Sequence, residues 1–332
     1  MNLYFSPLFY MFFMVSSTIM VISSSSMFTL WLGLEINLMS FIPMMGMISE
    51  SKKNTEASIK YFLIQSISSS LVLFSLLWFF LFSNSEVWNC LSLILNISLS
   101  VKMGLAPFHL WFPEVMEGLS WINSLILMTW QKISPMIVMS MVYNFKFMMF
   151  LAMISAMTGA VSGLNQTSLR KILAYSSISH MGWMISIMIL NSYIWISYLA
   201  MYMLVSFMSC MSFWFFDMNF INQMFFQKNN SLKMLVFLNL LSTGGMPPLM
   251  GFTPKMLAFK IISSNFPILI ILMSSSLITL YFYTRMCMSA FTLSQQNMKS
   301  NLKNKEKKLF MINSISAIIS MTGILPISML IL

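Results

Sequence analysis

Four ionisable side chains interrupt long apolar stretches of this sequence, and their chemistry suits proton transfer. They are one carboxylic acid and three amines: Glu35, Lys102, Lys132 and Lys255. A charge at the centre of a bilayer is unfavourable by roughly 3 kcal/mol or more, so such side chains usually face a cavity or a partner. Burial weakens the hold of an amine on its proton, and a nearby carboxylate strengthens it. A lysine whose partner moves could therefore take up and release a proton.

The first two of these residues each have a structural alternative. Glu35, in WLGLEINLMSFIP, lies about 13 Å into its predicted helix when counted from Ser26 at ~1.5 Å per residue, too deep for so short a side chain to reach water. It could be a proton-binding or charge-pairing site, or a protonated acid bonded to a neighbouring helix. Lys102, in SVKMGLAPFH, could carry protons or donate to carbonyls freed near Gly104 and Pro107.

The other two lysines are placed differently along their helices. Lys132, in TWQKISP, stands near the middle of a predicted helix, with neither end within easy reach. Lys255 directly follows GGMPPLMGFTP, a segment rich in Gly and Pro. Lys260 faces another side of the same predicted helix. We therefore interpret Lys255 as functional and Lys260 as reaching to the membrane interface.

The remaining ionisable residues carry weaker signals. His180, in YSSISHMGW, is surrounded by hydroxyls and could relay protons, but a packing role for it and for His109 fits equally well. Two distant histidines without a carboxylate or Cys at ligand spacing predict no metal site. Glu114 and Glu117 follow Pro113 and are interpreted as acids in a first helical turn. Arg285 lies deep in a predicted helix, and the sequence identifies no partner for it.

The elements that must position these residues are transmembrane helices. The chain is 58% hydrophobic and only 8% charged, which leaves too little polar surface for a water-soluble globule. Only helices satisfy their backbone groups in lipid over runs of about 20 residues. The sequence predicts an all-α polytopic bundle of about 11 helices, at residues 3–22, 27–48, 57–82, 87–117, 120–143, 147–164, 169–190, 193–216, 232–263, 267–292 and 309–331.

Two of these segments, KMGLAPFHLWFP and STGGMPPLMGFTPK, are long and carry Gly and Pro in the middle. We predict helix breaks near residues 104–107 and 244–254, because proline removes a backbone donor and clashes with the preceding turn. Freed backbone groups at membrane depth are tolerated where they line a cavity or are buried in protein. Broken helices of this kind are typical of transport sites.

The predicted organisation is one integral membrane domain over residues 1–332. Its core covers about residues 27–292, followed by a solvated loop at 294–308 and a C-terminal helix at 309–331. Positive loops mark the side from which the chain inserts. With eleven spans, one side carries Lys52, Lys53, Arg170, Lys171, Lys228, Lys233, Lys299, Lys303, Lys305, Lys307 and Lys308, and the other clearly carries only Lys146. The amino terminus is predicted on the positive side and the carboxyl terminus opposite.

Several function classes are excluded by composition and by missing motifs. The net charge of +10 follows from topology and from lysines near anionic lipid headgroups, so nucleic-acid binding is not predicted. Cys90, Cys210 and Cys287 stand far apart and suggest neither a disulfide framework nor an iron–sulfur site. No GxGxxG or GxxxxGK[ST] motif is present. We therefore predict no metal, no bound cofactor and no redox chemistry on this chain.

Six motifs in order indicate a family: WLGLEINLMSFIP, TEASIKYFLIQ, KMGLAPFHLWFPEVMEGL, MTWQKISP, LNQTSLRKILAYSSISHMGW and GGMPPLMGFTPK. Over about residues 30–290 the chain resembles the antiporter-like membrane-arm subunits of mitochondrial NADH:ubiquinone oxidoreductase, respiratory complex I. The resemblance is to the short animal form. It implies an inverted-repeat, antiporter-like architecture without three N-terminal helices of the bacterial relatives, and proton pumping driven by quinone reduction on other subunits.

The resemblance also implies residue roles and surroundings. Glu35 would pair with Lys102 on the first broken helix, Lys132 would lie on the next helix, and Lys255 would follow the second break. NADH, FMN, iron–sulfur clusters and ubiquinone are expected on other subunits. Expected partners are membrane-arm and accessory subunits and lipids, including anionic lipid such as cardiolipin. The expected location is the mitochondrial inner membrane, with the N-terminus in the matrix and the C-terminus in the intermembrane space.

Two positions depart from the family pattern. Met256 stands where Trp is common, and Ser162 precedes Gly163 where a Gly pair is usual.

The sequence leaves two other functions open. The chain could be a stand-alone cation/proton antiporter, which the broken helices alone would permit. It could also be a structural membrane spacer, in which buried charges only hold helices together.

Overall fold

A computed structural model describes residues 7–48, 51–81, 85–190, 193–225, 230–263, 265–292 and Ser314. These residues form α-helices joined by short loops, and the β-structure among them is a single isolated bridge between Ser168 and Phe220. The predicted all-α fold is confirmed. The predicted solvated loop at 294–308 and, apart from Ser314, the predicted C-terminal helix at 309–331 lie outside the described residues.

The chain divides into two compact units, Met1–Ile154 and Ser155–Leu332. The first unit is built from seven helices and the start of an eighth, which continues into the second unit. They are α1 (Pro7–Ser23), α2 (Met27–Ile48), α3 (Lys52–Leu81), α4 (Ser85–Met103), α5 (Trp111–Gly118), α6 (Trp121–Met128), α7 (Trp130–Met141) and α8 (Phe145–Gly163).

The second unit is built around one deeply buried helix. Its helices after α8 are α9 (Leu169–Leu190), α10 (Ile194–Phe215), α11 (Ile221–Phe225), α12 (Asn230–Gly244), α13 (Phe252–Ile262) and α14 (Phe266–Thr292). α9 is buried along almost its whole length, and α10, α13 and α14 pack against it. The Trp183 ring on α9 meets the Phe259 ring on α13 edge-on, with centroids 5.5 Å apart.

Both predicted helix breaks are present. The first lies between the end of α4 at Met103 and the start of α5 at Trp111, and the second between Gly244 and Phe252. A third interruption, at Thr129, divides the predicted helix 120–143 into α6 and α7. The sequence gives no Gly or Pro signal there. The short helix α11 was also not predicted.

Six helices or parts of helices in the described chain are long and apolar enough to cross a membrane. They are Met27–Met47, Lys52–Phe79, Phe145–Gly163, Leu169–Leu190, Ile194–Phe215 and Phe266–Met288. Serines within these helices mostly bond to the carbonyl three residues earlier, as Ser68 does to Gln65 at 2.7 Å. Their hydroxyls are thus satisfied without water, which allows a serine-rich chain to face lipid.

Small residues allow close helix packing within each unit. A Cβ at Gly33 on α2 would lie 2.6 Å from a Val21 methyl on α1, and one at Gly118 would lie 2.6 Å from the Lys53 carbonyl. In the second unit, a Cβ at Gly159 on α8 would lie 2.6 Å from the Ser179 nitrogen on α9. Close backbone contact of this kind is the usual packing solution for helices in membranes.

Candidate functional site

The first break ends α4 in a glycine-based C-terminal cap. Gly104 has a φ of +68°, and its N–H bonds to the Val101 carbonyl at 3.1 Å. The Leu105 N–H bonds to the Ser100 carbonyl at 3.0 Å. This pair of bonds is a Schellman motif, which requires a left-handed residue where the helix stops. The sequence KMGLAP supplies that residue immediately after Lys102 and Met103.

Two neutral side chains cover the carbonyls at the end of α4. Trp111 Nε1 donates to the Val101 carbonyl at 3.1 Å, and Gln65 Nε2 on α3 donates to the Lys102 carbonyl at 3.1 Å. Among the described residues, no hydrogen bond joins the Lys102 amine to a carbonyl freed at this break. Because backbone carbonyls at membrane depth must be satisfied, these donors leave the Lys102 amine available for other contacts.

Lys102 and Lys132 both line one small cavity of the first unit. The cavity has a volume of about 20 Å³ and is lined by both lysines together with Gln65, Tyr61 and Gln131 among others. Lys102 is 8% exposed and Lys132 is 3% exposed, so both are buried within the protein. A cavity needs about 10–15 Å³ to hold one water, so this space accommodates one.

Glu35 is not among the described residues that line this cavity, but its neighbour Leu34 is. The Glu35 side chain is half-buried on α2 and interacts electrostatically with Lys102. The two groups do not form a direct ion pair, because no carboxylate of the described residues comes within 4.0 Å of Lys102. The predicted pairing stays a prediction; at longer range, a movement of either side chain would change the strength of the interaction.

An amide network runs along the Lys132 side of the same cavity. Gln131 Nε2 donates to Asn37 Oδ1 at 3.2 Å, and Asn37 Nδ2 donates to Ser134 Oγ at 3.0 Å. The Tyr61 hydroxyl reaches Gln131 Oε1 at 3.5 Å. These bonds link α2, α3 and α7, so they hold in place the part of the cavity lining that lies beside Lys132. Lys132 Nζ itself lies 4.7 Å from the centre of the Phe112 ring, a favourable contact for a cation.

The second break has the same backbone cap as the first. Gly245 has a φ of +76°, its N–H bonds to the Ser242 carbonyl at 3.0 Å, and the Met246 N–H bonds to the Leu241 carbonyl at 3.2 Å. Gly251 is also required, because a Cβ there would lie 1.7 Å from the Ser242 carbonyl oxygen. The Gly-rich sequence STGGMPPLMG is thus explained by the cap and by backbone contact.

Titratable side chains cover the last carbonyls of α12. Lys255 Nζ donates to the Gly244 carbonyl at 2.7 Å, and His180 Nε2 lies 3.2 Å from the adjacent Thr243 carbonyl. A carbonyl oxygen only accepts, so this geometry places a proton on His180 Nε2. His180 Nδ1 lies 2.9 Å from the Tyr198 hydroxyl, which can donate to a neutral ring or accept from a charged one. His180 can therefore gain a proton without losing a partner.

The structure distributes the predicted site residues over the two units. It brings Lys102 and Lys132 to one cavity with Glu35 nearby, and it brings Lys255 and His180 to neighbouring carbonyls of the second break. Lys260 is exposed. Glu114 lies in the first turn of α5, and its carboxylate accepts a bond from exposed Lys60 at 2.6 Å. The prediction was wrong for Glu117, because α5 begins at Trp111 and Glu117 lies in its last turn.

Sequence reasoning missed the neutral partners of these groups. Gln65, Gln131 and Asn37 lie inside predicted spans, and an amide within an apolar helix is a signal that could have identified them. Asn37 also follows Glu35 by two residues, and Gln131 precedes Lys132 directly. Tyr198 carries no comparable signal, because a tyrosine is common in membrane helices.

Comparison with known proteins defines the class to which this arrangement belongs. Residues 24–280 match the transmembrane family described as "NADH:quinone oxidoreductase/Mrp antiporter, TM". The chain therefore belongs to this family of membrane subunits.

Individual relatives narrow the comparison further. "NADH-ubiquinone oxidoreductase chain 2" of Anopheles gambiae is 44% identical over 328 residues, covering 96% of this chain and 95% of the relative. The protein of the same name from Locusta migratoria is 39% identical over 321 residues, covering 94% and 93%. The family resemblance inferred from six motifs is confirmed.

Solved structures share the fold. A chain of respiratory complex I from Thermus thermophilus superposes with a TM-score of 0.81 at 19% identity, over 98% of this chain and 79% of that chain. A chain of the Mrp complex from a Dietzia species gives a TM-score of 0.80 at 12% identity, over 97% and 75%. At these identities the likeness concerns the fold alone.

Proposed function

We propose that this chain is a membrane-arm subunit of a proton-pumping NADH:ubiquinone oxidoreductase, the counterpart of chain 2. Two relatives with that name are 44% and 39% identical to this chain, and the matches cover nearly the whole length of each relative. The observation that carries the pumping role is the cavity that Lys102 and Lys132 share, because it offers two buried amines a common space with room for a water. NADH, FMN, iron–sulfur clusters and ubiquinone belong to other subunits of the complex.

In this proposal, proton transfer in the first unit uses the groups at this cavity. The negative charge of Glu35 favours the ammonium form of Lys102. When Glu35 is neutralised or moves away, Lys102 releases its proton into the cavity, and Lys132 accepts it, directly or through one water. The Phe112 ring then stabilises the Lys132 cation. Gln131 and Asn37 hold the cavity wall and carry no proton themselves.

Proton transfer in the second unit uses the carbonyls of the second break. Lys255 keeps a donor for the Gly244 carbonyl whether its amine is charged or neutral, because either form has an N–H. His180 keeps both of its contacts in either charge state, since the Tyr198 hydroxyl can reverse its role. These two groups can therefore change protonation without leaving a buried polar atom unsatisfied, which is the condition for a repeated cycle.

The setting follows from the same proposal. The chain crosses the mitochondrial inner membrane several times, with its amino terminus in the matrix and its carboxyl terminus in the intermembrane space, as the distribution of Lys and Arg favours. Other membrane-arm and accessory subunits surround it. Anionic lipids, cardiolipin among them, contact its basic loops.

The test is proton pumping by the assembled complex carrying Lys132→Met. We expect NADH:ubiquinone oxidoreductase complexes to assemble and to move fewer protons per electron transferred, because methionine fills the space of lysine but carries no proton. Lys260→Met is the matched control, since Lys260 is an exposed lysine, and it should pump normally. An unchanged proton-to-electron ratio in Lys132→Met would refute the role of Lys132.

Purification and transport distinguish the two competing functions. A stand-alone antiporter would be isolated without partners and would exchange cations for protons in vesicles. A structural spacer would assemble into the complex, but Lys132→Met would then change stability and leave the proton-to-electron ratio intact. Recovery of the chain with quinone-reducing partners, together with loss of pumping in the variant, supports the proposal against both.

A further inference from the structure

A second and larger cavity lies in the second unit, and its described lining includes neither Lys255 nor His180. Its volume is about 490 Å³, within the range of about 300–1,000 Å³ typical of sites for small organic ligands. Its walls come from the loop after α8 and from α9, α11 and α14. The proton-transfer proposal makes no use of this cavity.

The lining of the cavity is divided into a polar part and an apolar part. Asn165, Thr167 and Arg285 contribute polar groups, whereas Ile221 and Phe282 contribute apolar surface. Arg285 is the one charged residue of the described lining, and no Asp or Glu accompanies it. Its side chain is exposed and makes no ion pair with any described carboxylate. A ligand that fits both parts must be anionic at one end and apolar at the other.

The polar wall is held in place by the backbone. Leu169 N–H bonds to the Asn219 carbonyl at 3.0 Å, and Ile221 N–H bonds to the Thr167 carbonyl at 3.2 Å. Arg170 Nη2 also donates to Asn219 Oδ1 at 2.5 Å. These contacts tie the loop after α8 to the segment before α11, so the cavity is formed in the protein itself. A preformed site loses less entropy on binding than a mobile surface does.

The helices around the cavity indicate that it lies at the depth of lipid headgroups. Its polar wall is a loop between two membrane-spanning helices, which places it at the membrane surface. Arg285 lies about two turns before the end of α14 at Thr292. Arg170 and Lys171 follow the loop directly, so this is the surface that the charge pattern predicts to be positive. Anionic lipids concentrate against basic surfaces of this kind.

We propose that this cavity binds the headgroup of an anionic phospholipid. The guanidinium of Arg285 is suited to a phosphate, because its planar N–H groups match two phosphate oxygens. Asn165 and Thr167 lie beside it as further hydrogen-bonding groups, and Phe282 and Ile221 line the path of an acyl chain. Inorganic phosphate shares the headgroup chemistry but would leave the apolar wall uncovered, so the proposal commits to the lipid.

The test uses the intact complex in nanodiscs of phosphatidylcholine that contain a photoreactive phosphatidylglycerol. After illumination, digestion and mass spectrometry locate the labelled peptides. We expect label on the cavity wall, at residues 164–172 and 282–288. Arg285→Gln should reduce it about tenfold, which corresponds to loss of one charge-assisted bond. Lys53→Gln removes an exposed lysine of the first unit and should leave the labelling unchanged. Millimolar inorganic phosphate should not compete.

Several results would overturn the proposal. Equal labelling of the wild type and Arg285→Gln would exclude Arg285 as the headgroup ligand, and equal labelling by photoreactive phosphatidylcholine would exclude selection for negative charge. Absence of label in the wild type would indicate that another group, such as an acidic segment of a neighbouring subunit, occupies the cavity. The measurement needs no turnover, so it is independent of whether the chain pumps protons.

Discussion

The two helix breaks share one backbone solution and differ in the side chains that complete it. Each ends its helix in a Schellman cap on a left-handed glycine, Gly104 in the first unit and Gly245 in the second. At the first break a tryptophan and a glutamine cover the exposed carbonyls. At the second break a lysine and a histidine cover them.

The two breaks therefore differ in how a buried lysine could be kept able to bind and release a proton. At the first break neutral donors satisfy the backbone, so the Lys102 amine is available to Glu35 and to a cavity shared with Lys132. At the second break Lys255 and His180 satisfy the backbone themselves, and no carboxylate of the described residues forms an ion pair with Lys255. We infer that a carboxylate controls protonation in the first unit and that backbone dipoles control it in the second.

The largest expected effect belongs to Lys255→Met. This change removes a proton carrier and also leaves the Gly244 carbonyl without its donor. Loss of an acid–base group slows proton transfer by about 100-fold or more, and an unsatisfied buried carbonyl destabilises by about 1–3 kcal/mol. The proton-to-electron ratio and the thermal stability of the complex should therefore both fall. Lys260→Met is the control, and a variant that pumps normally would remove Lys255 from the path.

A matched pair of glycine substitutions compares the breaks directly. Alanine at Gly104 or Gly245 is strained by about 1–2 kcal/mol, because both positions are left-handed. At Gly245 the new Cβ would also lie 2.9 Å from Lys255 Nζ, whereas at Gly104 it would lie 3.0 Å from the Phe112 Cβ. We expect similar losses of stability and a larger loss of pumping for Gly245→Ala. Equal pumping by the two variants would contradict a special role for the Lys255–carbonyl contact.

Neutralising Glu35 tests the carboxylate control assigned to the first unit. Glu35→Gln preserves shape and removes the charge that acts on Lys102. We expect proton pumping to slow by about tenfold, which corresponds to about 1.4 kcal/mol in the barrier. The rate should be measured in coupled vesicles, with assembly checked on native gels. If Glu35→Gln pumped at the wild-type rate, the first unit would need no carboxylate, and the contrast between the breaks would disappear.

The smallest expected effect belongs to the exposed ion pair between Lys60 and Glu114. Both side chains are about half exposed, at 52% and 55%. Exposed pairs contribute about 0–1 kcal/mol. Lys60→Gln should therefore leave pumping unchanged and lower the thermal stability of the complex only slightly. A loss of pumping comparable to that of Glu35→Gln would show that the acidic control of the first unit extends beyond its cavity.

The sequence predicts the breaks well because their causes are local. A glycine followed by proline within an apolar run both requires a cap and prevents the helix from continuing, as in KMGLAP and STGGMPP. Buried charges are predictable for a similar reason, since an apolar segment of sufficient length can lie only in a membrane or a core. The sequence alone was therefore enough to identify four candidate site residues, Glu35, Lys102, Lys132 and Lys255.

The partners of these groups could not be predicted, because they depend on how helices pack. Gln65 reaches the Lys102 carbonyl across 37 residues of sequence, and His180 reaches the Thr243 carbonyl across 63. The interruption at Thr129 is equally hidden, since its hydroxyl bonds to the Leu125 carbonyl at 2.7 Å and no Gly or Pro marks the position. The position of Arg285 beside a cavity was likewise not predictable, because the cavity forms only when the helices of the second unit pack together.

A high-resolution map of the assembled complex that resolves ordered water tests most directly whether Lys102 and Lys132 can exchange a proton. We expect a water in the cavity of the first unit, within hydrogen-bonding distance of Lys102 Nζ and joined to Lys132 Nζ directly or through Gln131. A dry cavity, with apolar side chains filling the space between the two amines, would contradict proton transfer between them.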